Sequence, residues 1–243
     1  MSSARDLRKE LVEASLGLLA DHGPDALQAR RVAAACDTST MSVYTYFGGM
    51  KQLLAAVSDE GVRRFAKTLQ IVEPGEDPVA DLAVYTFLYR HFALENPHLY
   101  RLMLGEASAH GVSVPVQFTV PQFNKEGLRP ELGIVHVLAD AMQRSVDSGR
   151  INGDSLSMMF QFWSAMHGYV LLELAGYLGH EDAGLRSVLL PLGASVLQGW
   201  GDSPEKVKKS QELALEIFAK LQKQKLQKQK LQRQKLQRQK LQK

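Results

Sequence analysis

The segment that decides the fold runs from Val32 to Leu54 and reads VAAACDTSTMSVYTYFGGMKQLL. Apolar residues stand at a helical spacing where it begins, since Ala29, Val32, Ala33 and Cys36 occupy positions i, i+3, i+4 and i+7. This pattern predicts a short amphipathic helix. Because a helix of this length is unstable alone, we expect it to pack against its neighbours.

The next residues predict a tight turn and a further helix. Asp37 and Thr38 are turn residues, and Ser39 is a preferred N-cap for a helix that begins at Thr40 and ends at Gly48 and Gly49. Within this helix Val43 and Phe47 lie one turn apart and are expected to point inward. Two short helices joined by a tight turn predict a helix-turn-helix, whose second helix lies in the major groove of DNA.

Helical periodicity extends over the rest of the chain, and we expect negligible strand content. A first helix is predicted before the motif, with an apolar stripe at Leu7, Leu11, Ala14 and Leu18 and an end at Gly23. Residues 73–78 interrupt the pattern with two prolines and a glycine, and residues 111–129 read as a loop. Beyond the motif, the predicted helices are Met50–Leu69, Val79–Glu95, Asn96–Met103, Glu131–Ser148, Asp154–Leu178, Gly184–Trp200 and one that begins at Ser203–Pro204.

Composition excludes several classes of protein. Hydrophobic residues make up 45% and charged residues 23% of the 243 residues, as in ordinary globular proteins. Cys36 is the single cysteine, so no intrachain disulfide can form, which suits a reducing cytoplasm. Residues 1–10 are charged and lack the apolar core of a signal peptide, so we do not expect export. The stretch 155–172 has no charged residue, but its polar residues indicate a buried helix of a globular protein rather than a membrane span. We therefore expect a cytoplasmic protein without a membrane partner.

The residues from Val32 to Leu54 resemble the DNA-binding segment of TetR family regulators, whose pattern is V-A-x-x-A-G-V-S-x-x-x-V/L-Y-x-H/Y-F-x-x-K-x-x-L. The resemblance extends from Leu7 to about Leu69. Two departures stand out: Asp37 and Thr38 replace the usual Gly and Val, and Met50 replaces the usual Lys, with Lys51 one position later. Backbone N–H groups at the start of the following helix remain able to hold a phosphate.

The resemblance implies a DNA interface made from the second helix of the motif and its surroundings. Thr40, Met41, Ser42 and Thr45 are expected to face base edges, with Met41 against a thymine methyl group. The residues expected to contact phosphate or sugar, or to begin the reading helix, are Arg30, Tyr44, Tyr46, Lys51 and Ser39. For each tyrosine, packing inside the three-helix unit is the alternative.

The C-terminal part resembles a TetR subgroup through Asn96–Met103 and the Trp163-x-x-x-His167-Gly168 pattern. The resemblance implies a homodimer on a pseudo-palindromic operator, paired through the helices at 154–178 and 184–200, with the core of a monomer as the alternative for these helices. It also implies release by a small apolar or amphipathic ligand. The residues that we expect to line the ligand pocket, with core packing as the alternative, are Tyr85, Leu88, Tyr89, Phe92, Leu99, Met103, Phe118, Phe123, Phe162, Trp163, Met166 and His167.

The fold class is therefore predicted to be all-α. Residues 1–49 form a three-helix helix-turn-helix DNA-binding domain, residues 50–220 a helical ligand-binding and dimerisation domain with a connecting helix at 50–70, and residues 221–243 a basic low-complexity tail. The function predicted is that of a transcriptional regulator, and a repressor is favoured over an activator. A helical enzyme or a ligand-binding protein without DNA function is the alternative, although no catalytic or cofactor-binding motif is present and no cofactor is expected.

Two further features leave alternatives open. His91 with Glu95 and Glu106 with His110 stand at i, i+4 and could hold a metal in a metal-responsive regulator, but pairs of this kind arise often by chance, and we expect no metal. The tail repeats LQKQK or LQRQK and holds nine of the 29 Lys and Arg and no acid, so residues 1–220 carry a net charge of −6. It is either a solvated extension, which we favour, or a polybasic arm that attracts DNA.

Overall fold

A computed structural model describes residues 6–105, 108–109, 112–113, 133–179 and 182–241. Over these residues the chain forms ten α-helices, which confirms the all-α prediction. Their bounds are α1 Leu7–His22, α2 Ala29–Ala35, α3 Thr40–Phe47, α4 Met50–Leu69, α5 Pro78–Glu95, α6 Pro97–Met103, α7 Gly133–Asp147, α8 Ser155–Leu174, α9 Leu190–Gly199 and α10 Pro204–Leu241. A 3₁₀ turn covers Pro24–Ala26.

One small element of the described chain was not expected. Two strands, β1 (Ser108–Ala109) and β2 (Val112–Ser113), pair antiparallel, with Ser108 opposite Ser113 and Ala109 opposite Val112. β2 lies inside the stretch predicted to be a loop. Two residue pairs form too small a ladder to change the fold class.

The first helix begins and ends at the positions that its sequence favours. The Asp6 carboxylate caps it by accepting a hydrogen bond from the backbone N–H of Lys9 at 3.1 Å, and Gly23 ends it with a φ of 74°. The predicted stripe is shifted, because of its members only Leu11 is fully buried. Its other buried positions are Val12, Ser15, Leu16 and Leu19.

The chain divides into two compact units. Unit 1 comprises Met1–Ile71 and Tyr89–Val137, and unit 2 comprises Val72–Leu88 and Leu138–Lys243. The first segment of unit 1 ends at Ile71, just before the Pro/Gly interruption at residues 73–78. α5 belongs to unit 2 up to Leu88 and to unit 1 from Tyr89. Packing thus groups α4 and α6 with the helix-turn-helix. The functional boundary predicted between residues 49 and 50 stays a prediction.

Three charged residues and one serine form a hydrogen-bonded cluster in unit 2 around Arg150, which follows α7. Its guanidinium donates two hydrogen bonds to the Asp202 carboxylate, at 2.9 and 2.7 Å, and one to Asp77 at 3.0 Å. Ser210 of α10 accepts a bond from Arg150 at 3.0 Å and donates one to Asp77 at 2.6 Å. We name these four residues the Arg150 cluster; it ties the start of α5 to the turn between α9 and α10.

The two helices after α7 differ from their predicted bounds. α8 ends at Leu174 rather than 178 because Gly176 adopts a φ of 85°, and the N–H of Tyr177 then bonds the carbonyl of Leu172. The helix predicted over 184–200 begins as a π-helical turn at Leu185–Leu189, and α9 follows from Leu190. Pro191 accounts for this change, because it lacks an N–H and its ring displaces the carbonyl four residues earlier.

Candidate nucleic-acid interface and ligand pocket

α2 and α3 are held together by their inward side chains. Val32 and Ala33 of α2 are buried, as are Val43 and Phe47 of α3. The turn between them includes Asp37, which adopts a left-handed φ of 50°, so the tight turn predicted there forms. These contacts fix the orientation of α3 and therefore decide which of its side chains face solvent.

The outer face of α3 exposes large side chains at one helical spacing. Met41 is 65% exposed, Tyr44 52% and Tyr46 45%, and Thr40 and Thr45 are exposed as well. Met41, Tyr44 and Thr45 stand at i, i+3 and i+4, so they lie on one face of the helix. Tyr46 lies about 140° around the helix axis from Met41, on another face. The exposed Met41 and Tyr44 on one face indicate a contact surface.

Two hydroxyl groups of α3 are oriented by bonds within the motif. Thr45 donates from Oγ1 to the carbonyl of Met41 at 2.9 Å, so its lone pairs remain able to accept from a base. Ser42 is half-buried, and its Oγ lies 2.7 Å from Oγ1 of Thr38. Thr38 stands where the family pattern has Val, and it makes a hydrogen bond across the turn where a valine would make apolar contacts. Ser39 begins α3 as predicted but makes no side-chain cap bond.

Positive charge flanks α3 on both sides in sequence. Gly48 and Gly49 have φ values of 77° and 147°, and α4 begins directly after them with no acidic residue in its first turn. Lys51 in that turn and Arg30 of α2 are both exposed. The arrangement suits phosphate, because helix N-termini and cations attract anions.

Arg8 is a candidate contact that sequence reasoning did not place in the interface. Its guanidinium carbon lies 5.0 Å from the centre of the Phe47 ring, so a cation–π contact holds this exposed arginine at the end of α3. The two residues stand 39 positions apart, and no spacing rule relates them. Only the packing of α1 against the motif reveals the pair.

α6 packs against α1 and α4 within unit 1. Gly61 of α4 is buried, and a Cβ built on it would lie 2.8 Å from Leu99 Cδ1 and from Met103 Sδ of α6. A Cβ on Gly23 would lie 3.4 Å from the His98 ring. α6 is therefore a brace that touches both the connecting helix and the link that leads into the helix-turn-helix.

The predicted pocket residues fall into both units. In unit 1, Tyr89 and Phe92 pack around Phe65, with ring centres 5.1 and 4.7 Å apart, and the Tyr89 hydroxyl lies 2.8 Å from that of Tyr100. Leu99 and Met103 line the α6 brace. Those in unit 2 are Tyr85, Leu88, Phe162, Trp163, Met166 and His167. Phe118 and Phe123 lie outside the described residues.

Unit 2 contains an apolar pocket between α5, α8, α9 and α10. Its empty space is about 520 Å³ when the open mouth is included. Phe162 and Met166 are the predicted residues that reach it, whereas Trp163 stacks on His167 with ring centres 5.8 Å apart. The lining residues are Val79, Leu82, Ala83, Thr86, Phe87, Phe162, Ala165, Met166, Leu189, Leu190, Leu192, Gly193, Val196, Leu197 and Gln211. The amide nitrogen of Gln211 donates to the carbonyl of Leu190 at 2.8 Å.

The described residues contain no group of three His, Cys, Asp or Glu side chains that could hold a metal ion. His91 Nε2 lies 3.2 Å from a carboxylate oxygen of Glu95, so this pair forms a contact within α5. Glu106 and His110 are outside the described range. None of the described helices is both long enough and apolar enough to cross a lipid bilayer. Cys36, the C-cap residue of α2, is buried, as its position in the apolar pattern of that helix predicted.

Comparison with known proteins gives the family. The family model of bacterial regulatory proteins of the tetR family matches residues 11–57, and that of the tetracyclin repressor-like C-terminal domain matches residues 82–189. An uncharacterized HTH-type transcriptional regulator of Mycobacterium tuberculosis is 24% identical over 201 residues, which are 78% of this chain and 81% of that protein.

Solved structures share the fold. A protein of unknown function from Rhodococcus sp. RHA1 has a TM-score of 0.63 at 21% identity, covering 82% of this chain and 97% of its own. RolR in complex with resorcinol has a TM-score of 0.56 at 18% identity, covering 85% and 92%. With both family models matched and the helix-turn-helix formed as described, the chain belongs to the TetR family of DNA-binding transcriptional regulators.

Proposed function

We propose that this regulator is a homodimeric repressor that reads a pseudo-palindromic operator with α3 and is released by a small apolar or amphipathic ligand. The observation that carries the DNA part is the exposed face of α3, where Met41, Tyr44 and Thr45 project while Val43 and Phe47 anchor the helix. A reading helix of eight residues contacts only a few base pairs, so two copies are needed for useful affinity.

In the proposed division of contacts, Thr40, Met41 and Thr45 face base edges. The free lone pairs of Thr45 would accept from an adenine or cytosine amino group, and Met41 would pack on a thymine methyl group. Ser42 reaches the groove from a half-buried position beside Thr38. Phosphate or sugar contacts come from Arg30, Ser39, Tyr44, Tyr46 and Lys51, and Arg8 joins them because it is held beside α3.

Alanine variants test this division of contacts. Thr45→Ala and Met41→Ala should change the preferred base at one position of a selected operator, with a cost of about 1–3 kcal/mol for the original sequence. Lys51→Ala should weaken all sequences alike and lower the salt slope by about 1. Lys67→Ala is the matched control, because Lys67 is exposed on the same helix about 24 Å further along. A uniform loss from Thr45→Ala, or altered base preference from Lys51→Ala, would contradict the assignment.

The proposed dimer pairs the region of α8 and α9 with its counterpart. Exposed apolar side chains support this choice, since Leu172 of α8 is 49% exposed and Val188 before α9 is 37% exposed. Leu172→Glu with Val188→Glu should convert the dimer to a monomer in sedimentation velocity. Leu94→Glu is the control, because Leu94 is a similarly exposed leucine of α5, in unit 1. A chain that is monomeric at all concentrations would refute the proposed assembly.

The proposed ligand site is the pocket of unit 2. Its lining is apolar apart from Thr86 and Gln211, the composition usual for small-molecule sites. Gly193→Leu should fill the pocket, because a Cβ there meets only the Gln211 amide nitrogen, at 3.8 Å. Gly199→Leu adds the same bulk at an exposed position with nothing within 4 Å. We expect Gly193→Leu, and not Gly199→Leu, to abolish the thermal shift given by phenols, the class to which the RolR ligand resorcinol belongs.

The route from pocket to DNA follows the chain itself. α5 lines the pocket with Val79, Leu82 and Ala83 and leads through Asn96 into α6, the brace that contacts Gly61 of α4. A ligand that binds one arrangement of these helices better changes how α4 presents α3, and a difference of about 1–3 kcal/mol suffices for regulation. Operator affinity that no pocket ligand alters would argue against release by ligand.

A further inference from the structure

The basic tail, residues 221–243, extends the last helix of unit 2. α10 runs without a break from Pro204 to Leu241, so most of the tail is helical. The tail holds nine Lys and Arg and no Asp or Glu, whereas the rest of the chain carries a net charge of −6. Neither family model reaches it, because the C-terminal match ends at residue 189.

The five-residue spacing of the leucines places them on no single face of the helix described to Leu241. Five residues turn an α-helix by about 500°, so successive leucines of the repeat are displaced by about 140°. Leu226 and Leu231 are accordingly exposed, at 56% each. A coiled coil needs an apolar stripe on one side, and a helix at a membrane surface needs an apolar half. The pattern provides neither.

Positive charge instead surrounds the helix axis. Lys223, Lys225, Lys228 and Lys230 are all exposed, and their angular positions are about 0°, 200°, 140° and 340°. Along the helix the tail carries roughly one charge every 4 Å, against one phosphate per about 1.7 Å of duplex DNA. A dense polyanion can therefore contact positive charge whichever side of the helix faces it.

We propose that residues 221–243 are a basic arm that binds the phosphate backbone of duplex DNA without regard to base sequence. The arm contains nine Lys and Arg and no acid, and DNA phosphates that contact these cations release condensed counterions, which favours binding. Duplex DNA is the polyanion to which the helix-turn-helix of the same chain already binds, so the inference rests on the proposed function for its choice of partner. The arm adds salt-dependent affinity, and α3 supplies the base preference.

The test compares the full chain with a variant in which all nine Lys and Arg of 221–243 become Gln, which keeps the length and the helix propensity. The probe is a random-sequence duplex of about 30 base pairs, titrated between about 50 and 200 mM salt. We expect the slope of log affinity against log salt to shrink by at least about 3, and affinity at the lower salt to fall at least about tenfold. Leu226→Gln with Leu231→Gln keeps the charge and should leave both values unchanged.

The remaining outcomes separate the arm from the proposed reading of bases. Equal slopes for the full chain and the Gln variant overturn the arm, even if a selected operator is still preferred over the random duplex. A reduced slope supports the arm even where no operator preference exists, a result that would contradict only the role of α3. Binding that depends on the arm and favours anionic phosphatidylglycerol vesicles or single-stranded RNA over the duplex overturns the choice of partner.

Discussion

Replacing Arg150 by Met tests the Arg150 cluster directly. Asp202 is 5% exposed, and apart from the two bonds from Arg150 its carboxylate accepts one from the backbone N–H of Ser203 at 2.9 Å. Met keeps most of the aliphatic volume but leaves this buried charge without a counter-ion. Breaking a buried pair in this way costs about 3–5 kcal/mol. The free energy of unfolding of unit 2 should therefore fall by that amount.

Arg150 is protonated and positively charged in the native protein. Burial by itself lowers the pKa of Arg150, but the hydrogen bond to Asp202 and the charges of Asp77 and Asp202 outweigh it and raise the pKa above its ordinary value. The stabilisation that follows from a raised pKa is present below the pKa of the unfolded chain and is lost only as pH rises through the folded value. Because the ordinary pKa of Arg already lies far above neutral pH, the predicted loss should not vary between about pH 6 and 9.

Urea unfolding followed by circular dichroism and by the fluorescence of Trp163 and Trp200 measures this loss. Arg63→Met is the matched control, because Arg63 pairs with Glu60 in an exposed position and its loss should cost less than about 1 kcal/mol. Adding Asp202→Leu to Arg150→Met should recover part of the stability, because the buried Asp202 charge is then removed, and Asp77 still accepts the hydrogen bond from Ser210. A loss below about 1 kcal/mol for Arg150→Met, or no recovery in the double variant, would refute the reasoning.

Three further predictions concern single positions. Gly17→Ala should stabilise the protein by up to about 1 kcal/mol because its Cβ meets nothing, whereas Gly61→Ala should gain less or lose stability and alter operator affinity, because its Cβ enters the α6 brace. Burial, aided by the charge of Asp81 and opposed by that of Arg144, raises the pKa of Tyr85; Tyr85→Phe should therefore lose less stability than the native chain above about pH 10, where only the unfolded tyrosine ionises. Arg8→Ala should lower the salt slope of operator binding by about 1 without changing base preference.

Each of these predictions has an outcome that would contradict it. Equal stabilisation by the two glycine substitutions would mean that α6 does not press on α4. Parallel alkaline unfolding curves for Tyr85→Phe and the native chain would remove the role of burial at that hydroxyl. An unchanged salt slope in Arg8→Ala would place the arginine outside the DNA interface.

Local sequence predicted most helices and their ends. α4 begins at Met50 and ends at Leu69 as predicted, and the turn before α3 forms with Asp37 at positive φ, because glycine, proline and turn residues act on their immediate neighbours. α8 was predicted four residues too long, since the apolar residues after Leu174 continue the pattern while Gly176 ends the helix. The π-helical turn before Pro191 was also missed. The periodicity of apolar residues indicates which face of a helix is buried, but not which residues its backbone hydrogen bonds join.

The sequence by itself determined the helix-turn-helix and the outward position of Met41, Tyr44 and Thr45, because the fixed period of a helix relates them to the buried Val43 and Phe47. Only the tertiary structure decided which aromatic residues meet. It placed Tyr89 and Phe92 in a ring cluster around Phe65, set Phe162 and Met166 on a pocket, and brought Arg8 over Phe47. The reason is physical: apolar residues at helical spacing all favour burial, and long-range packing alone selects the partner against which each one is buried.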